Sequence, residues 1–209
     1  MSPTTKLPIH GFVLAGGKSS RMGIDKATLN LRGKPLVEIA LQKLREFCAD
    51  VSISGNREDL SHLAEIIPET RLDAGPAAGI EAGLLASRQS WALFIPVDVP
   101  LVPASLLRRW AQTVLESSGI MASHLYVAGD QPAFCMLRTE AATRFSAAID
   151  AGQKKLLHLL QATGGGLSSA CDIQQIYAAE SPSQEDMNRW FLNVNTPEDL
   201  ARAQTYAPV

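Results

Sequence analysis

The residues best suited to chemistry lie in one glycine-rich stretch near the start of the chain, residues 14–26. Gly16 and Gly17 follow a short apolar run, and paired glycines allow a backbone to approach a ligand closely and to point N–H groups at an anion. Between Gly16 and position 34 the sequence has one acid, Asp25, and five cations. These cations are Lys18, Arg21, Lys26, Arg32 and Lys34. Glycine combined with positive charge predicts a loop that binds phosphate groups.

Two common phosphate-binding motifs do not describe this loop. A Walker loop ends in Gly-Lys-Ser/Thr, whereas Gly23 is followed by Ile24. The dinucleotide fingerprint requires spaced glycines, Gly-x-Gly-x-x-Gly, whereas Gly16 and Gly17 are adjacent. A solvated turn between a strand and a helix is the alternative, although such turns rarely exceed about six residues in α/β units.

The full pattern over residues 14–26 is Leu-Ala-Gly-Gly-x-Ser-x-Arg-Met-Gly-x-Asp-Lys. This pattern resembles the signature of nucleotidylyltransferases, and in particular of the molybdenum cofactor guanylyltransferases. The resemblance extends over nearly the whole chain. It implies that the loop binds a nucleotide through Leu14, Ala15, Gly16 and Gly17. Arg21 and Lys26 are then expected to act catalytically on the triphosphate.

A carboxylate follows the most apolar run of the sequence. Residues 91–97 predict a central strand buried on both faces, with Pro96 marking its end, and Asp98 comes directly after it. A hard cation such as Mg²⁺ is commonly held by one or two protein oxygens together with substrate phosphates. We therefore expect Asp98 to bind Mg²⁺ and to be catalytic; a role as a helix N-cap or turn residue is the alternative. The resembled family also carries Asp-x-Pro after its central strand, as in Asp98-Val99-Pro100.

Two further segments are candidates for binding the nucleotide. Residues 51–54 alternate as in a strand and lead into a polar turn, where Ser54 and Asn56 are placed to contact a base or ribose; an ordinary turn is equally compatible with the pattern. Small residues at positions 73–79 would allow a flat base to approach the next helix. In the resembled family this stretch reads Gly-Pro-Leu-Ala-Gly and lies against guanine, whereas Ala77 replaces the leucine here. The candidates in this stretch are Asp73, Gly75 and Gly79.

Two segments in the second half are candidates for the acceptor. The loop at residues 129–132, with Asp130 and Pro132, resembles the loop that faces the acceptor in this family. The family also ends in an Asn-x-Asn-Thr-Pro signature at its active site, which matches Asn193 and Asn195. On a short strand, residues two apart face the same side. Capping of the following helix is the alternative role for both asparagines.

Composition narrows the possible function. A chain of 209 residues with 46% hydrophobic content can bury a sizeable core, and a net charge of −2 argues against a nucleic-acid or anionic-membrane surface. Cys48, Cys135 and Cys171 lack the spacing of a disulfide framework or zinc site, and the four histidines show no metal-ligand spacing. The chain also lacks a signal-like or membrane-spanning apolar segment. We expect a cytoplasmic monomer.

Alternating strand and helix patterns predict an α/β fold, a three-layer, doubly wound, mainly parallel sheet. The resemblance implies a Rossmann-like fold of the nucleotide-diphospho-sugar transferase type. We expect one domain over residues 1–209, with a GTP-binding half at about 1–118 and an acceptor-binding half at about 119–209. The pattern also predicts helices at residues 59–67, 140–149 and 154–163, strands at 120–127 and 133–137, and an exposed loop at 180–188. The helix after residue 75 is expected to pack through Ile80, Leu84 and Leu85.

The resemblance implies transfer of GMP from Mg-GTP to the terminal phosphate of molybdopterin. A cytidylyltransferase acting on the same pterin, or a sugar-phosphate nucleotidylyltransferase, would share the loop. A noncatalytic nucleotide-binding adaptor is an alternative of another class, although the retention of Lys26 and Asp98 argues against it. The expected cofactor is Mg²⁺ and the expected partners are GTP and molybdopterin. Transient contact with molybdoenzymes or cofactor-delivery proteins is a further expectation.

Overall fold

The structure is a computed structural model that describes residues 5–16, 25–71, 74–177 and 180–206. Its strands are β1 (Leu7–Leu14), β2 (Asn30–Leu31), β3 (Lys34–Pro35), β4 (Cys48–Ser54), β5 (Glu65–Ile67), β6 (Trp91–Pro96), β7 (Ala122–Tyr126), β8 (Asp130–Arg138) and β9 (Ser168–Asp172). Its helices are α1 (Leu36–Arg45), α2 (Pro76–Ala86), α3 (Ala104–Glu116), α4 (Ala142–Asp150), α5 (Leu156–Gly164), α6 (Ile173–Tyr177), α7 (Gln184–Trp190) and α8 (Pro197–Thr205).

Within these ranges, seven strands form one sheet in the order β5, β4, β1, β6, β8, β7, β9. The first four strands in this order are parallel to one another, β8 is antiparallel to both β6 and β7, and β9 is parallel to β7. Phe12, Val13 and Phe94, on the central strands β1 and β6, are fully buried. Burial on both faces explains the continuous apolar runs of these two strands.

Helices cover both faces of the sheet. Successive residues of β1 point to opposite faces: Val13 joins a core that includes residues of α1 and α3, whereas Phe12 joins a second core with residues of α2, α4 and α5. Two cores separated by one sheet make three layers. The predicted three-layer, doubly wound, mainly parallel α/β architecture is confirmed. No helix in the described ranges is long and apolar enough to cross a membrane.

The three cysteines are buried free thiols, as the sequence predicts. Burial raises the pKa of Cys48 and Cys135, and it raises the pKa of Cys171 to about 11. Because the thiolate is the reactive form, these groups are chemically inert at neutral pH.

The prediction of a helix at residues 59–67 is wrong. A single 3₁₀ turn covers Glu58–Leu60, and β5 follows as an edge strand that pairs parallel with β4, with Ile66 opposite Ile53. Two consecutive isoleucines are β-branched and pack well on a pleated surface. Pairing with β4 therefore prevails over the helical spacing.

The inward orientation predicted for Leu85 is also wrong, since this side chain is 66% exposed. Small residues form much of the buried face of α2, where a Cβ on Gly83 would lie only 2.5 Å from the Phe94 ring. This close packing fixes the rotation of the helix, and Leu85 then points outward.

Three other differences lie in the second half of the chain. The predicted loop at residues 129–132 is largely strand, because β8 begins at Asp130. The segment at 180–188 includes the start of α7, capped by Ser183, which accepts a hydrogen bond from the Asp186 N–H at 3.1 Å. Strand β9 was not predicted; it is held at the sheet edge by pairing with β7.

Candidate active site

A cavity of about 530 Å³ lies at the carboxyl ends of β1 and β6. Ligands of open α/β sheets bind at this edge. The first half of the chain contributes Leu14, Ala15, Gly16, Lys26, Gly75 and Asp98 to its wall. The second half contributes Pro132 and Asn193. Both groups of residues therefore face one space.

Lys26 and Asp98 line this cavity, and Lys26 also contacts Asn195, although 169 residues separate the two. The Lys26 Nζ donates to Asp98 Oδ2 at 3.0 Å and also to Asn195 Oδ1. The two charged side chains are 27% and 22% exposed, so both remain accessible to a ligand. The cluster joins an ammonium group, a carboxylate and an amide at the end of a central strand.

Backbone hydrogen bonds hold this cluster in place. The Val97 N–H donates to the Leu14 carbonyl at 3.3 Å, which joins the end of β6 to the end of β1. The Val194 N–H donates to the Asp98 carbonyl at 2.7 Å, which brings the asparagine segment alongside. The segment is not the strand that the sequence predicts. Val194 is nevertheless buried while Asn193 and Asn195 are exposed, so both asparagines lie on the outer side of the chain.

The capping box of α8 fixes the segment that carries the two asparagines, residues 193–196. The Thr196 Oγ1 accepts from the Asp199 N–H at 3.1 Å, and Asp199 Oδ2 accepts from the Asn195 and Thr196 N–H groups at 3.1 and 3.0 Å. These donors favour the ionised carboxylate and lower the pKa of Asp199, with the Asn195 N–H the largest cause. Thr196 is the N-cap of α8, and Pro197 is its first residue. Capping thus positions Asn195 but does not occupy its side chain.

Lys26 itself is positioned by its neighbour Asp25 and by Arg57. Asp25 caps the 3₁₀ turn Lys26–Thr28, its Oδ1 accepting from the Ala27 N–H at 3.0 Å. Arg57 donates to Asp25 through two nitrogens, at 2.9 and 2.5 Å, and also pairs with Asp59 at 2.7 Å. The Arg57 side chain is the main cause that lowers the pKa of Asp59. The role of Arg57 was not predicted, since only the fold brings it near Asp25.

Ser54 and Asn56 make contacts within the protein. The Ser54 hydroxyl is fully buried and donates to the Gly79 carbonyl at 2.6 Å, which ties β4 to the first turn of α2. The Asn56 amide donates to the Glu69 carbonyl at 3.3 Å and accepts from the Glu69 N–H at 3.0 Å. Neither residue is among those that line the cavity, although Asn56 holds the backbone of Glu69, which does line it. Gly75, at the N-cap of α2, has φ 57°, a conformation that glycine adopts without strain.

The remaining predicted residues are distributed as follows. Pro132 lines the cavity, whereas the Asp130 carboxylate meets the buried His124 ring, with Nε2 and Oδ1 2.7 Å apart. Arg32 and Lys34 lie on the β2–β3 hairpin and line a separate cavity of about 360 Å³. They do not take part in the predicted phosphate loop. Gly17, Arg21 and Asp73 lie outside the described residues, as does Lys18.

Glu69 was not among the predicted residues, yet it lines the cavity. A Cβ on Gly16 would collide with Glu69 Oε1, and a Cβ on Gly79 would lie 3.0 Å from it. Gly16 does not occupy the left-handed region of φ, so the space it leaves for this carboxylate explains the absence of a side chain. Burial raises the pKa of Glu69. Because residues 59–67 were predicted as a helix, Glu69 was not expected at the end of a strand. The two consecutive β-branched residues, Ile66 and Ile67, are the feature of the sequence that indicates a strand ending at this point.

A mainly parallel α/β sheet with a glycine loop, a lysine and a carboxylate at one edge is the arrangement of a nucleotidyltransferase. The model of the MobA-like NTP transferase domain matches residues 11–166, and the chain belongs to this family. The protein is accordingly a nucleotidyltransferase enzyme. Enzymes of this family generally use a divalent metal.

Similar proteins agree with this assignment. Molybdenum cofactor guanylyltransferase of Vibrio parahaemolyticus is 31% identical, with 91% of this chain and 92% of that protein covered. The Vibrio cholerae protein of the same name is 32% identical, with 91% and 88% covered. A crystal structure of molybdopterin-guanine dinucleotide biosynthesis protein A from Archaeoglobus fulgidus superimposes with a TM-score of 0.73 at 25% identity, covering 93% of this chain and 96% of that chain.

Proposed function

We propose that the protein transfers GMP from Mg-GTP to the terminal phosphate of molybdopterin, releasing pyrophosphate and forming the guanine dinucleotide form of the cofactor. The meeting of Asp98 and Asn195 at Lys26, beside the cavity that Lys26 and Asp98 line, carries this proposal. The names of the similar proteins, molybdenum cofactor guanylyltransferase, favour GTP and molybdopterin over other substrates.

The donor set suits a divalent cation. A carboxylate oxygen of Asp98 and an amide oxygen of Asn195 both accept hydrogen bonds from the Lys26 ammonium. Two oxygen atoms therefore already surround a positive charge at this place. Mg²⁺ prefers such oxygens and is commonly held by few protein groups plus substrate phosphates. We propose that Asp98 holds Mg²⁺, which would supply charge neutralisation at the phosphates.

The side chains of this site act by positioning and by charge. In the proposed reaction an anionic oxygen of the acceptor phosphate attacks the α-phosphorus, and the bond from that phosphorus to the β-phosphate oxygen breaks. The bonding electrons leave with pyrophosphate, and no proton has to be removed from the acceptor. Lys26 would exchange its contact with Asp98 for contacts with the phosphates, where developing negative charge is stabilised. The absence of a nucleophile and base pair from the candidate residues is consistent with this chemistry.

We further propose that the two substrates enter from different halves of one domain, GTP against residues 1–118 and the pterin against residues 119–209. In-line attack on the α-phosphorus requires the acceptor to approach opposite the leaving group. Most of the cavity wall that surrounds Lys26 and Asp98 comes from the first half, whereas Pro132, Phe134 and Asn193 close it from the second half. This division places Asn193 toward the acceptor.

Pyrophosphate release tests the proposed function. The purified protein with Mg²⁺ and molybdopterin is given GTP, CTP, ATP or UTP in parallel, with an acceptor-free control for each. Release that requires molybdopterin and is fastest with GTP supports the proposal. Release that is equal or faster with CTP identifies a cytidylyltransferase, and nucleotide binding without any release indicates an adaptor; either result rejects the proposal.

A further inference from the structure

A second cavity of the described structure, about 360 Å³ in volume, has a positively charged wall, and we call it the basic cavity. One face of α1, the β2–β3 hairpin and residues 100–104 form most of this wall. Its charged residues are Arg32, Lys34, Lys43 and Glu46. In the described ranges it shares no lining residue with the cavity that Lys26 and Asp98 line. Its volume lies in the range of sites that bind small molecules.

The three cations of the basic cavity donate hydrogen bonds to neutral oxygens. Arg32 donates to the Gln204 carbonyl at 3.0 Å, Lys34 to Gln42 Oε1 at 3.1 Å and Lys43 to the Pro100 carbonyl. Among the described residues, none of the three cations forms an ion pair with a carboxylate. A lysine carries three donor protons and an arginine five, so each cation retains donors for a ligand. Together with the carboxylate of Glu46, the described wall has a net charge of +2 when Lys43 is protonated.

Lys43 is the least exposed of these cations. Burial lowers its pKa to about 8, and the charge of Glu46 opposes part of this shift. A charge that is partly removed from water without a counter-ion is costly. An anion bound beside Nζ would offset this cost and would favour the protonated amine.

Arg32 shows backbone strain at the same wall. Its φ is 54° and that of Gly33 is 82°, and positive values at both residues between β2 and β3 are the pattern of a type I′ turn. Asparagine, aspartate or glycine usually occupies the first of these positions, because larger side chains rarely adopt positive φ. An arginine at a strained position, with its side chain on the wall of a cavity, indicates a function for the guanidinium.

We propose that the basic cavity binds a dianionic phosphate group, free or as an ester, through Arg32 and Lys43. The planar guanidinium matches two phosphate oxygens, and the ammonium supplies a compact charge. A ligand charge of about −2 would balance the charge of the wall. Ala104, the first residue of α3, also lies on this wall, and no described side chain caps that helix, so its N-terminus adds positive potential. The proposal goes beyond the proposed function and is independent of which nucleotide the enzyme uses.

Calorimetric titration with inorganic phosphate tests the proposal. Because the other cavity also suits phosphate, every protein in the series carries Lys26→Ala. Adding Lys43→Met removes the charge and keeps the length of the side chain. Adding Lys6→Met is the matched control, since the Lys6 Nζ likewise donates to a backbone carbonyl, that of Arg45. We expect Lys43→Met to weaken phosphate binding at least about tenfold and Lys6→Met to leave it unchanged. Equal affinities in all three proteins, or no saturable binding to the Lys26→Ala protein, would overturn the proposal.

Arg32→Asn tests the site without weakening the fold. Asparagine suits the first position of the turn, so the variant should be at least as stable in urea denaturation as its Lys26→Ala parent. Phosphate should nevertheless bind at least about tenfold more weakly, because the guanidinium is lost. An unchanged affinity for phosphate in this folded variant would contradict the proposed role of Arg32.

The pH dependence of binding tests Lys43 separately. Between pH 7.5 and 9 inorganic phosphate is mainly the dianion, whereas Lys43 loses its proton near pH 8. The affinity should therefore fall across this range, and the fall should be absent from the Lys43→Met protein. The other charged or titratable groups on the wall are Glu46 at the end of α1, Arg32 and Lys34 on the hairpin, and Tyr206 after α8. The same pH dependence in both proteins would assign the titration to another group and would contradict the role of Lys43.

Phenyl phosphate distinguishes the two sources of the phosphate group. Its ring would contact the apolar part of the wall, which includes Leu31, Ile39 and Val102. Tighter binding of phenyl phosphate than of inorganic phosphate would indicate an organic ester, and equal or weaker binding would indicate the free ion; both results support the site. If Lys43→Met weakens the binding of neither ligand, the phosphate group does not bind in this cavity and the proposal is wrong.

Discussion

Replacement of Lys26 by alanine should show separately how much this lysine contributes to catalysis and how much it contributes to the free energy of unfolding. The Lys26 ammonium lies 3.0 Å from the Asp98 carboxylate, with both side chains partly exposed. At an effective dielectric constant of about 20, the gross attraction is about 5 kcal/mol. Desolvation and side-chain entropy offset most of it, so a partly exposed pair contributes at most about 1 kcal/mol to the free energy of unfolding. Lys26→Ala should therefore fold normally.

The catalytic effect should be larger. In the proposed reaction Lys26 exchanges its contact with Asp98 for a contact with phosphate, and its charge is then needed where negative charge develops. Loss of one such donor typically costs about 3 kcal/mol in the transition state, which corresponds to a roughly 100-fold lower kcat/KM. Steady-state pyrophosphate release gives kcat/KM, and urea denaturation gives the free energy of unfolding.

Lys34→Ala is the matched control. Lys34 is an exposed lysine outside the cavity that Lys26 lines, and its Nζ donates to Gln42 Oε1 at 3.1 Å. Its kcat/KM should stay within about twofold of wild type. If Lys26→Ala also stays within about twofold, Lys26 is a surface lysine and the proposed phosphate contact is wrong. If Lys26→Ala unfolds instead, the Lys26–Asp98 pair contributes more to the free energy of unfolding than about 1 kcal/mol, the limit expected for a partly exposed pair.

Three other predictions concern the metal, the acceptor and the pH dependence of stability. Asp98→Asn should abolish transfer at normal Mg²⁺ while shifting the free energy of unfolding by at most about 1 kcal/mol; wild-type turnover by a folded variant would remove Asp98 from the metal site. Asn193→Asp places a negative charge on the acceptor side of the cavity and should weaken molybdopterin binding while leaving GTP binding unchanged in calorimetry; the opposite pattern would reverse the assignment of the two halves. Burial lowers the pKa of His10, so protonation favours the unfolded chain, and the stability from the neutral ring should decline below about pH 6.5 by at most about 1.4 kcal/mol per pH unit. Urea denaturation of wild type and His10→Gln at pH 7.5, 6.5 and 5.5 checks this; an equal pH dependence in both proteins would contradict it.

His10 has a clear structural basis for remaining neutral. The Arg88 N–H donates to its Nδ1 at 3.3 Å, which leaves Nε2 as the protonated nitrogen facing the Ser52 hydroxyl at 2.9 Å. The ring also stacks on Phe12, with centroids 4.1 Å apart. A second proton on Nδ1 would lose the bond from Arg88 and place charge in the core. The sequence gives no role for His10, and its position inside β1 explains why it is structural.

Local patterns allowed much of the fold and part of the candidate site to be predicted. The apolar runs of β1 and β6 predict buried central strands, and parallel strands carry their carboxyl ends to one edge of a sheet. Gly16 and Asp98 each lie shortly after one of these strands, and both line the same cavity because the two strands are neighbours in the sheet. Leu106, Leu107 and Trp110 likewise form a stripe at helical spacing, and all three are buried on the inner face of α3.

Contacts between distant segments could not be predicted in this way. Arg57 supports Asp25 across 32 residues, and Lys26 meets Asn195 across 169 residues. Glu69 depends on the pairing of β5 with β4, which the spacing of apolar residues at 59–67 does not reveal. In each case the side chain gains its role from the fold, and its immediate sequence neighbours carry no sign of it.

The fate of the α-phosphate is the most direct test of GMP transfer to molybdopterin. Purified protein is incubated with Mg²⁺ and molybdopterin, and with GTP labelled either at the α-phosphorus or at the γ-phosphorus. Transfer of GMP should place the α-label in a pterin–guanine dinucleotide and the γ-label only in pyrophosphate, and Asp98→Asn protein should yield neither product. An α-label that remains in GTP or GMP, or a γ-label found on the pterin, would contradict nucleotidyl transfer to this acceptor.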